Sequence, residues 1–388
     1  MKKTVMKVLS YILVAVIASA STLLIISPTK QILFYGSGGK LDQVMAVLDH
    51  YFIGDVDQKK LEDAASSAMV YALGDRWSYY MTAEEYQSYL QTMSNTHVGI
   101  GITVQRRSDG QGFDVSDMVA GGPAEEAGIA VGDVIIAVDG AETAGLTISE
   151  LSVLIKGQAN TQLRLAVLRG QERKEFTVTR NTFQTPVATA QMLEGNIGLI
   201  TIENFDERCA SETIAAIESI IAQGATALIF DVRNNPGGYK SEMLKVLDYL
   251  LPEGPLFRSE DYQGNVSIEY SDEKHLDIPM AVLINLRSYS AAEFFAAALD
   301  EYDAAITLGE KTFGKGYFQN TIPLSDGSAI NISVGKYTTP NGVSLADIGL
   351  TPQIPVPVDE ETAAKIQAGI LAPEEDPQVI AAINALKS

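Results

Sequence analysis

The chain is poor in the residues on which several functional classes depend. A single cysteine, Cys209, in 388 residues excludes an internal disulfide framework and any cysteine-rich zinc or iron–sulfur site. The three histidines, His50, His97 and His275, are widely spaced and form no ligand motif. That argues against a metalloenzyme and against a mechanism needing several histidines. Basic residues are scarce: 28 Lys and Arg face 49 Asp and Glu, a formal charge of −21. This sign is wrong for non-specific nucleic-acid binding, which needs a basic face. Repeats and low-complexity segments are lacking too, and nothing implies a metal, nucleotide or organic cofactor.

Against these absences, 46% of residues are apolar and 20% charged, enough to build real cores. At about 150 residues per domain, the length predicts two or three domains. The one long apolar run is N-terminal. Lys2, Lys3 and Lys7 precede an uncharged stretch from Val8 to Thr29, apolar as far as Ile26. As a helix, Val8 to Ile26 spans about 28 Å, against about 30 Å for the hydrocarbon core of a bilayer. The lysines belong on the cytoplasmic side, with the remainder exported. Ala18-Ser19-Ala20 offers a small-residue cleavage site, but Thr22-Leu23-Leu24-Ile25-Ile26 carries the run past it. The expectation is a cytoplasmic stub and single-pass signal anchor over residues 1–30. Cleavage would instead release a secreted protein.

Residues 31–95 read as a helical region. Leu41, Val44, Met45, Val47 and Leu48 have near-helical spacing, and Leu61 to Leu73 repeats it. Thr82-Ala83-Glu84-Glu85 has capping-box spacing and predicts a helix to Met93. Tyr71, Trp77, Tyr79, Tyr80 and Tyr86 are read as a small hydrophobic core, with a dimerisation arm, and hence a homo-oligomer, as the functional alternative. Residues 96–180 carry short strands and turns, one helix from Thr147 to Ile155, and a hairpin across Arg169-Gly170-Gln171. Residues 181–356 alternate strand and helix: strands at 197–202, 227–232, 280–286 and 305–308, helices at 210–221, 241–251 and 291–299. This is an α/β layer with a buried sheet. The tail, 357–388, is acidic and Ala-rich, with a helix at 377–386.

Two groups of residues carry chemistry. In the first, Gly99-Ile100-Gly101-Ile102 is followed by Gly122-Pro123-Ala124 through Ala127-Gly128, then Gly132-Asp133-Val134-Ile135 and Asp139-Gly140. A glycine-rich loop lets consecutive N–H groups converge on a carboxylate. The strand after it offers an edge to an extended peptide, and a pocket beside the 147–155 helix takes an apolar side chain. In order, these pieces resemble a PDZ domain over 96–180, with Gly99, Ile100, Gly101 and Ile102 as the peptide-binding residues.

The second group spans three segments. Asp231-Val232-Arg233-Asn234-Asn235-Pro236-Gly237-Gly238 follows a buried strand, and its glycines permit close approach to a ligand or donation to an oxyanion. Ile284 to Glu293 places serines at a strand-to-helix junction, where free N–H groups and the helix dipole favour negative charge. Ser288 reads as structural. Lys315, between Gly314 and Gly316, becomes a general base if burial lowers its pKa. Gln319 faces the same way in an extended chain. Each segment alone is better read as a turn, a cap or a surface loop.

Together they resemble the C-terminal processing peptidases, PDZ-containing serine–lysine endopeptidases. The resemblance rests also on Ala72-Leu73-Gly74-Asp75, Tyr80-Met81-Thr82 and Gly309-Glu310-Lys311-Thr312-Phe313. It implies an α/β multidomain protein: membrane helix, small helical region, β-rich PDZ domain and α/β serine protease core. It implies Ser290 as nucleophile, Lys315 as base and Gln319 as the assisting amide. Backbone N–H groups of Gly237 or Gly238 and of Ala291 would form the oxyanion hole. Substrates would be proteins with flexible, apolar C-termini, cleaved outside the cytoplasm. Four positions depart from the family pattern: Tyr289 and Ala292 in the serine motif, Lys156 before Gly157, and Gln353. Two rivals share features. A silent membrane-anchored PDZ scaffold would not need Ser290, Lys315 and Gln319 together. An acyl-transfer or hydratase-like enzyme would bind a thioester cofactor.

Overall fold

A computed structural model describes residues 39–387. The expected anchor, 1–30, lies outside the described residues. Among those described, no helix is long and apolar enough to cross a membrane. The described residues divide into two units, one ending at Met69 and one beginning at Val70. In the first, helix α1 (Lys40–Tyr51) carries the expected Leu41/Val44/Leu48 stripe but buries no residue. Helix α2 (Gln58–Tyr71) follows it.

The second unit begins with a correction to the helical reading of 31–95. Tyr79–Met81 forms strand β1, and helix α3 (Ala83–Met93) follows behind the expected box: Glu85 Oε2 accepts from Thr82 N (2.8 Å) and Thr82 Oγ1 from Glu85 N (3.3 Å). The aromatic residues nearby make no local core. Tyr71 is 85% exposed, and Trp77 packs against Phe313 far downstream.

The next module runs through β2 (Thr96–Gly99), β3 (Ile102–Arg106), β4 (Phe113–Met118), α4 (Pro123–Glu126), β5 (Val134–Val138), β6 (Ala141–Glu142), α5 (Ile148–Ile155), β7 (Gln162–Arg169), β8 (Glu172–Thr179) and β9 (Asn181–Gln184). Thr147 and Glu150 cap α5 reciprocally. The sheet order is β3-β4-β5-β7-β8, so β3 is an edge. Phe113, Ile135, Leu151, Leu163 and Leu165 fill its core. Asp133, buried, binds Arg169 Nε and Nη2 at 2.7 and 2.8 Å. The antiparallel ribbon β2–β9 joins the module's entry to its exit.

The α/β layer follows: β10 (Ala188–Leu193), β11 (Ile197–Ile202), α6 (Cys209–Ala222), β12 (Ala227–Asp231), α7 (Lys240–Leu250), the hairpin β13 (Gly254–Asp261) and β14 (Val266–Ser271), β15 (Met280–Ile284), α8 (Ala291–Glu301) and β16 (Ala305–Gly309). After them come β17 (Tyr317–Pro323), β18 (Ala329–Thr338), β19 (Ile354–Pro355), α9 (Glu360–Gln367) and α10 (Pro377–Lys387). The central sheet runs β10-β11-β12-β15-β16-β19, with β11, β12, β15, β16 and β19 parallel and β10 antiparallel. Alternation along each strand splits the core. Leu228, Phe230, Val282 and Ile284 face α6, α7 and α8, while Ala227, Ile229, Ala281 and Leu283 face α10. A second sheet, β1-β18-β13-β14 with β17 on β18, stands beside it.

One buried charge network ties α10 to the layer. Arg233, just past β12, contacts Asp231, Asp376 at 2.8 Å and Gln378 Oε1 at 2.9 Å. Its guanidinium has two carboxylates in reach, as a buried cation requires.

Candidate active site

Three loops leave the carboxyl ends of the adjacent parallel strands β12, β15 and β16, where open α/β sheets place their ligands. They are residues 232–238, 285–290 and 310–316, the three segments singled out in the sequence.

The first two loops are laced together by asparagine. Asn285 Oδ1 accepts from Asn234 N (3.0 Å), Asn285 Nδ2 donates to Asn234 Oδ1 (3.1 Å), and Tyr289 N donates to Asn235 O (3.2 Å). Asn235 Nδ2 also donates to Ile202 O at 2.8 Å. Ser288 is fully buried. Its Oγ donates to Val232 O (2.7 Å) and accepts from Asn285 N (3.0 Å). Its hydroxyl is therefore structural, fastening one loop to the other.

Ser290 stands at the start of α8 with φ 58° and ψ −126°. A side chain in that region costs about 1–3 kcal/mol, and the neighbours fix it there. Gly237 approaches so closely that an added Cβ would lie 2.7 Å from Ser290 Cβ and 2.9 Å from Ala291 N. Glu293 Oε2 accepts from Ser290 N at 3.0 Å. Ser290 Oγ lies 3.2 Å from Tyr337 Oη.

Among the expected oxyanion donors, Gly237 N–H is already engaged by Asn235 Oδ1 at 2.8 Å. Its glycine is needed for space. Among the described residues, the N–H groups of Gly238 and Ala291 have no hydrogen-bond partner. Gly238 has φ 147°, and a Cβ there would lie 2.3 Å from Phe205 O.

The third loop hangs on Glu293, a buried carboxylate to which the sequence reading gave no role. Oε1 accepts from Thr312 Oγ1 (2.5 Å) and Gly314 N (2.6 Å), and Oε2 from Lys315 N (2.9 Å). The same oxygen thus holds the backbone of Ser290 and of Lys315. Burial raises the Glu293 pKa, opposed by these hydrogen bonds. The Ser290-x-x-Glu293 spacing of a capping box was the signal that could have found it.

Lys315 is half-buried, its Nζ 5.1 Å from the Trp77 ring centroid. Burial lowers its pKa below 10.5, against the opposing charges of Glu293 and Asp75. No hydrogen bond joins Lys315 Nζ to Ser290 Oγ in this arrangement, and none joins it to Gln319. Gln319 Nε2 donates instead to Tyr317 O (3.2 Å) and Ser333 Oγ (3.1 Å). From there a chain leads to a second unforeseen carboxylate: Ser333 N donates to Ser78 Oγ (3.0 Å), which donates to Asp75 Oδ2 (2.5 Å). Burial tends to raise Asp75, but bonds from Ser78, Ser333 and Trp77 N hold its carboxyl below the ordinary value. The aromatic rings of Trp77, Phe313 and Tyr289 form one wall, with centroid separations of 5.6 and 5.7 Å. Asp75 lies in a stretch that carries the family resemblance, but nothing in the sequence gave it or Trp77 a role at this place. No group of residues suited to a metal occurs among the described residues.

At the peptide-binding loop, Ile100 is buried and Gly101 has φ +72°. Their carbonyls accept from Ala124 N and Val119 N, both at 2.9 Å. Among the described residues their own N–H groups have no partner, which is the state a carboxylate needs. Gly99 pairs within β2–β9, and Ile102 opens the edge strand β3. Lys156 is exposed at the end of α5, where its charge helps lower the His97 pKa after the larger effect of burial. Gln353 is exposed, and its N–H donates to Thr307 Oγ1.

A parallel α/β core with a strained serine at a strand-to-helix turn, a desolvated lysine and a free-edged peptide module defines a PDZ-bearing serine peptidase. Residues 196–356 match Peptidase family S41, and residues 115–169 match the PDZ domain. The chain is 32% identical over 353 residues to the carboxy-terminal processing protease CtpA of Bacillus subtilis (strain 168), covering 88% of this chain and 75% of that protein. A CtpA-like serine protease of Staphylococcus aureus (strain N315) is 32% identical over 321 residues, 82% of this chain and 64% of the relative. The chain thus spans less than two thirds of that relative. A solved photosystem II D1 C-terminal processing protease superposes with a TM-score of 0.50 at 26% identity, covering 88% and 92% of the two chains. An S41 protease from Bacteroides fragilis shares the fold, with a TM-score of 0.58 at 16% identity over 83% and 90%. The chain belongs to the carboxy-terminal processing protease family, and it is a serine-type endopeptidase.

Proposed function

We propose that this enzyme is a membrane-anchored, extracytoplasmic endopeptidase that cuts protein substrates near flexible, apolar C-termini. The names of the Bacillus relative and of the D1-processing structure support the C-terminal preference. The lysine-flanked apolar run at residues 8–26 supports the anchor. The observation that carries the mechanism is Glu293, which binds the backbone of Ser290 and of Lys315 through one oxygen while burial keeps the lysine pKa low.

In this reading Ser290 Oγ attacks the scissile carbonyl, and neutral Lys315 takes its proton. The lysine side chain swings from Trp77 toward the serine to do so, and Gln319 assists it there. The ammonium then protonates the leaving amine. Gly238 and Ala291 N–H groups stabilise the oxyanion. Ile100 and Gly101 N–H groups bind the substrate carboxylate while the chain upstream adds to β3 as another strand.

The test is cleavage of an unfolded protein with an apolar C-terminus by the full-length chain in detergent, followed by mass spectrometry. Ser290→Ala and Lys315→Ala should each abolish it, a loss of at least about a thousandfold. Undiminished cleavage by either variant rejects that assignment. No cleavage by the parent, even with a C-terminal peptide bound to the PDZ domain, would favour a silent scaffold.

A further inference from the structure

The hydroxyl nearest the proposed nucleophile belongs to Tyr337 on β18, 3.2 Å away, a residue to which the mechanism above gives no part. Its ring is enclosed by Phe294 (4.3 Å between centroids), Phe257 (5.3 Å) and Phe318 (6.2 Å). Such walls offer no acceptor. A phenol has one proton, and burying that O–H without an acceptor forfeits the hydrogen bond it makes to water. Among the described residues, the partner available to this O–H is Ser290 Oγ. Either hydroxyl can donate in this pair, but Tyr337 is buried while Ser290 is half-buried, so only the serine proton has solvent as an alternative acceptor, and this favours the phenol as donor. Ser290 keeps its own proton for another acceptor.

We infer that Tyr337 is a catalytic residue that donates a hydrogen bond to the nucleophilic oxygen, both when Ser290 attacks and when it later departs. The inference rests on Ser290 being the nucleophile. During acylation the Oγ–C bond forms, the carbonyl pair moves to oxygen, and the Oγ proton passes to neutral Lys315. The lysine gives that proton to the amine as the C–N bond breaks. During deacylation water supplies the attacking oxygen, and its proton reaches Oγ through Lys315 as the ester bond breaks. The Tyr337 proton never transfers. Oγ carries more negative charge than the resting hydroxyl where its proton leaves ahead of C–O bonding and where the ester C–O bond breaks ahead of reprotonation, and a hydrogen bond to a charged oxygen is about twice as strong as one to a neutral hydroxyl. The bond is thus stronger in the transition state than in the resting enzyme, which is what lowers a barrier. Burial also pushes the phenol pKa above its ordinary value, so the donor keeps its proton.

The opposite reading is a lock that holds Ser290 away from Lys315, and it predicts the opposite change. The experiment uses the full-length chain in detergent and two readouts: labelling by a fluorophosphonate, which reacts with the serine oxygen directly, and cleavage of an unfolded protein. Tyr337→Phe should label and cleave about 10- to 100-fold more slowly, with an unchanged melting temperature and an unchanged pH midpoint. Rates equal to or above the parent's overturn the inference. Labelling and cleavage that survive Ser290→Ala would instead overturn the nucleophile assignment, whatever Tyr337→Phe does. Should the phenylalanine variant not fold, tetrafluorotyrosine at 337 replaces it. Its phenol ionises far more readily, and a phenolate cannot donate. A new alkaline decline in activity, absent from the parent, is expected; a profile matching the parent's overturns the inference.

Discussion

The PDZ module and the α/β core solve the problem of holding a polypeptide in opposite ways. In the module the proposed binding groups are all backbone: N–H groups of Ile100 and Gly101, unpartnered among the described residues, and the open side of β3. In the core the proposed groups add the side chains of Ser290 and Lys315 to the N–H groups of Gly238 and Ala291, on three loops at the carboxyl ends of β12, β15 and β16. A backbone site needs little sequence beyond glycines that allow its turn. The side-chain site must be held rigidly, and Asn234, Asn235, Asn285, Ser288 and Glu293 brace its loops against one another. Recognition can tolerate a soft frame, whereas chemistry at Ser290 cannot.

Substitutions should separate the two sites. Among substitutions that leave Ser290 and Lys315 in place, the largest effect is expected from Gly237→Ala, whose Cβ would press on Ser290 Cβ at 2.7 Å in a left-handed backbone. Activity should fall about 100-fold, measured as kcat, while binding of a C-terminal peptide by fluorescence anisotropy stays as in the parent. A parallel loss of binding would break the comparison. Glu293→Gln should cost about tenfold in kcat. It should also move the rise of activity to lower pH. The Glu293 charge holds the Lys315 pKa up, so its removal lets that pKa fall further, and the base is neutral sooner. A rise displaced to higher pH would contradict this coupling.

On the module, Gly101→Ala meets Val119 Cβ at 3.2 Å at φ +72°. A strain of about 1–2 kcal/mol predicts about tenfold weaker peptide binding, with fluorophosphonate labelling of Ser290 unchanged. The smallest effect belongs to Asp133→Asn. Burial would raise the Asp133 pKa, but the Arg169 bonds and the Ala130 N–H outweigh it and hold it below 3.8. Its stabilisation is therefore present above the ordinary carboxylate range and lost as pH falls through the lowered value. The variant should melt slightly earlier at neutral pH and lose that acid dependence, as calorimetry can show.

Local patterns made much of this architecture readable. Strand Ile197–Ile202 falls where its apolar run lies, and helix α8 begins where Ser290 precedes the alanines. Ser290 and Lys315 were singled out through helix-start and glycine chemistry together with the family resemblance, and their segments do meet at the ends of β15 and β16. What escaped were partners distant in sequence. Trp77 and Asp75 reach Lys315 because β1 pairs with β18 across the length of the chain, and no local spacing encodes that pairing. Tyr337 carried no local signal, and the strand that holds it, β18, was not among those expected. The hairpins β13–β14 and β17–β18 lack the strong apolar runs of the central strands, since one face of each is exposed.

The Arg233 network makes the order of synthesis matter. The loop bearing Gly237 and Gly238 begins at a guanidinium whose second carboxylate, Asp376, and amide partner, Gln378, are translated long after Ser290 and Lys315. Until then the cation is half-paired, and the sheet face of Ile229 and Leu283 lies bare of Val379 and Ala382. A chain that ends before α10 holds Ser290 and Lys315 yet lacks the footing of the 232–238 loop. Removing α10 should therefore unseat the layer beneath that loop, through the loss of one carboxylate, one amide partner and an apolar cover.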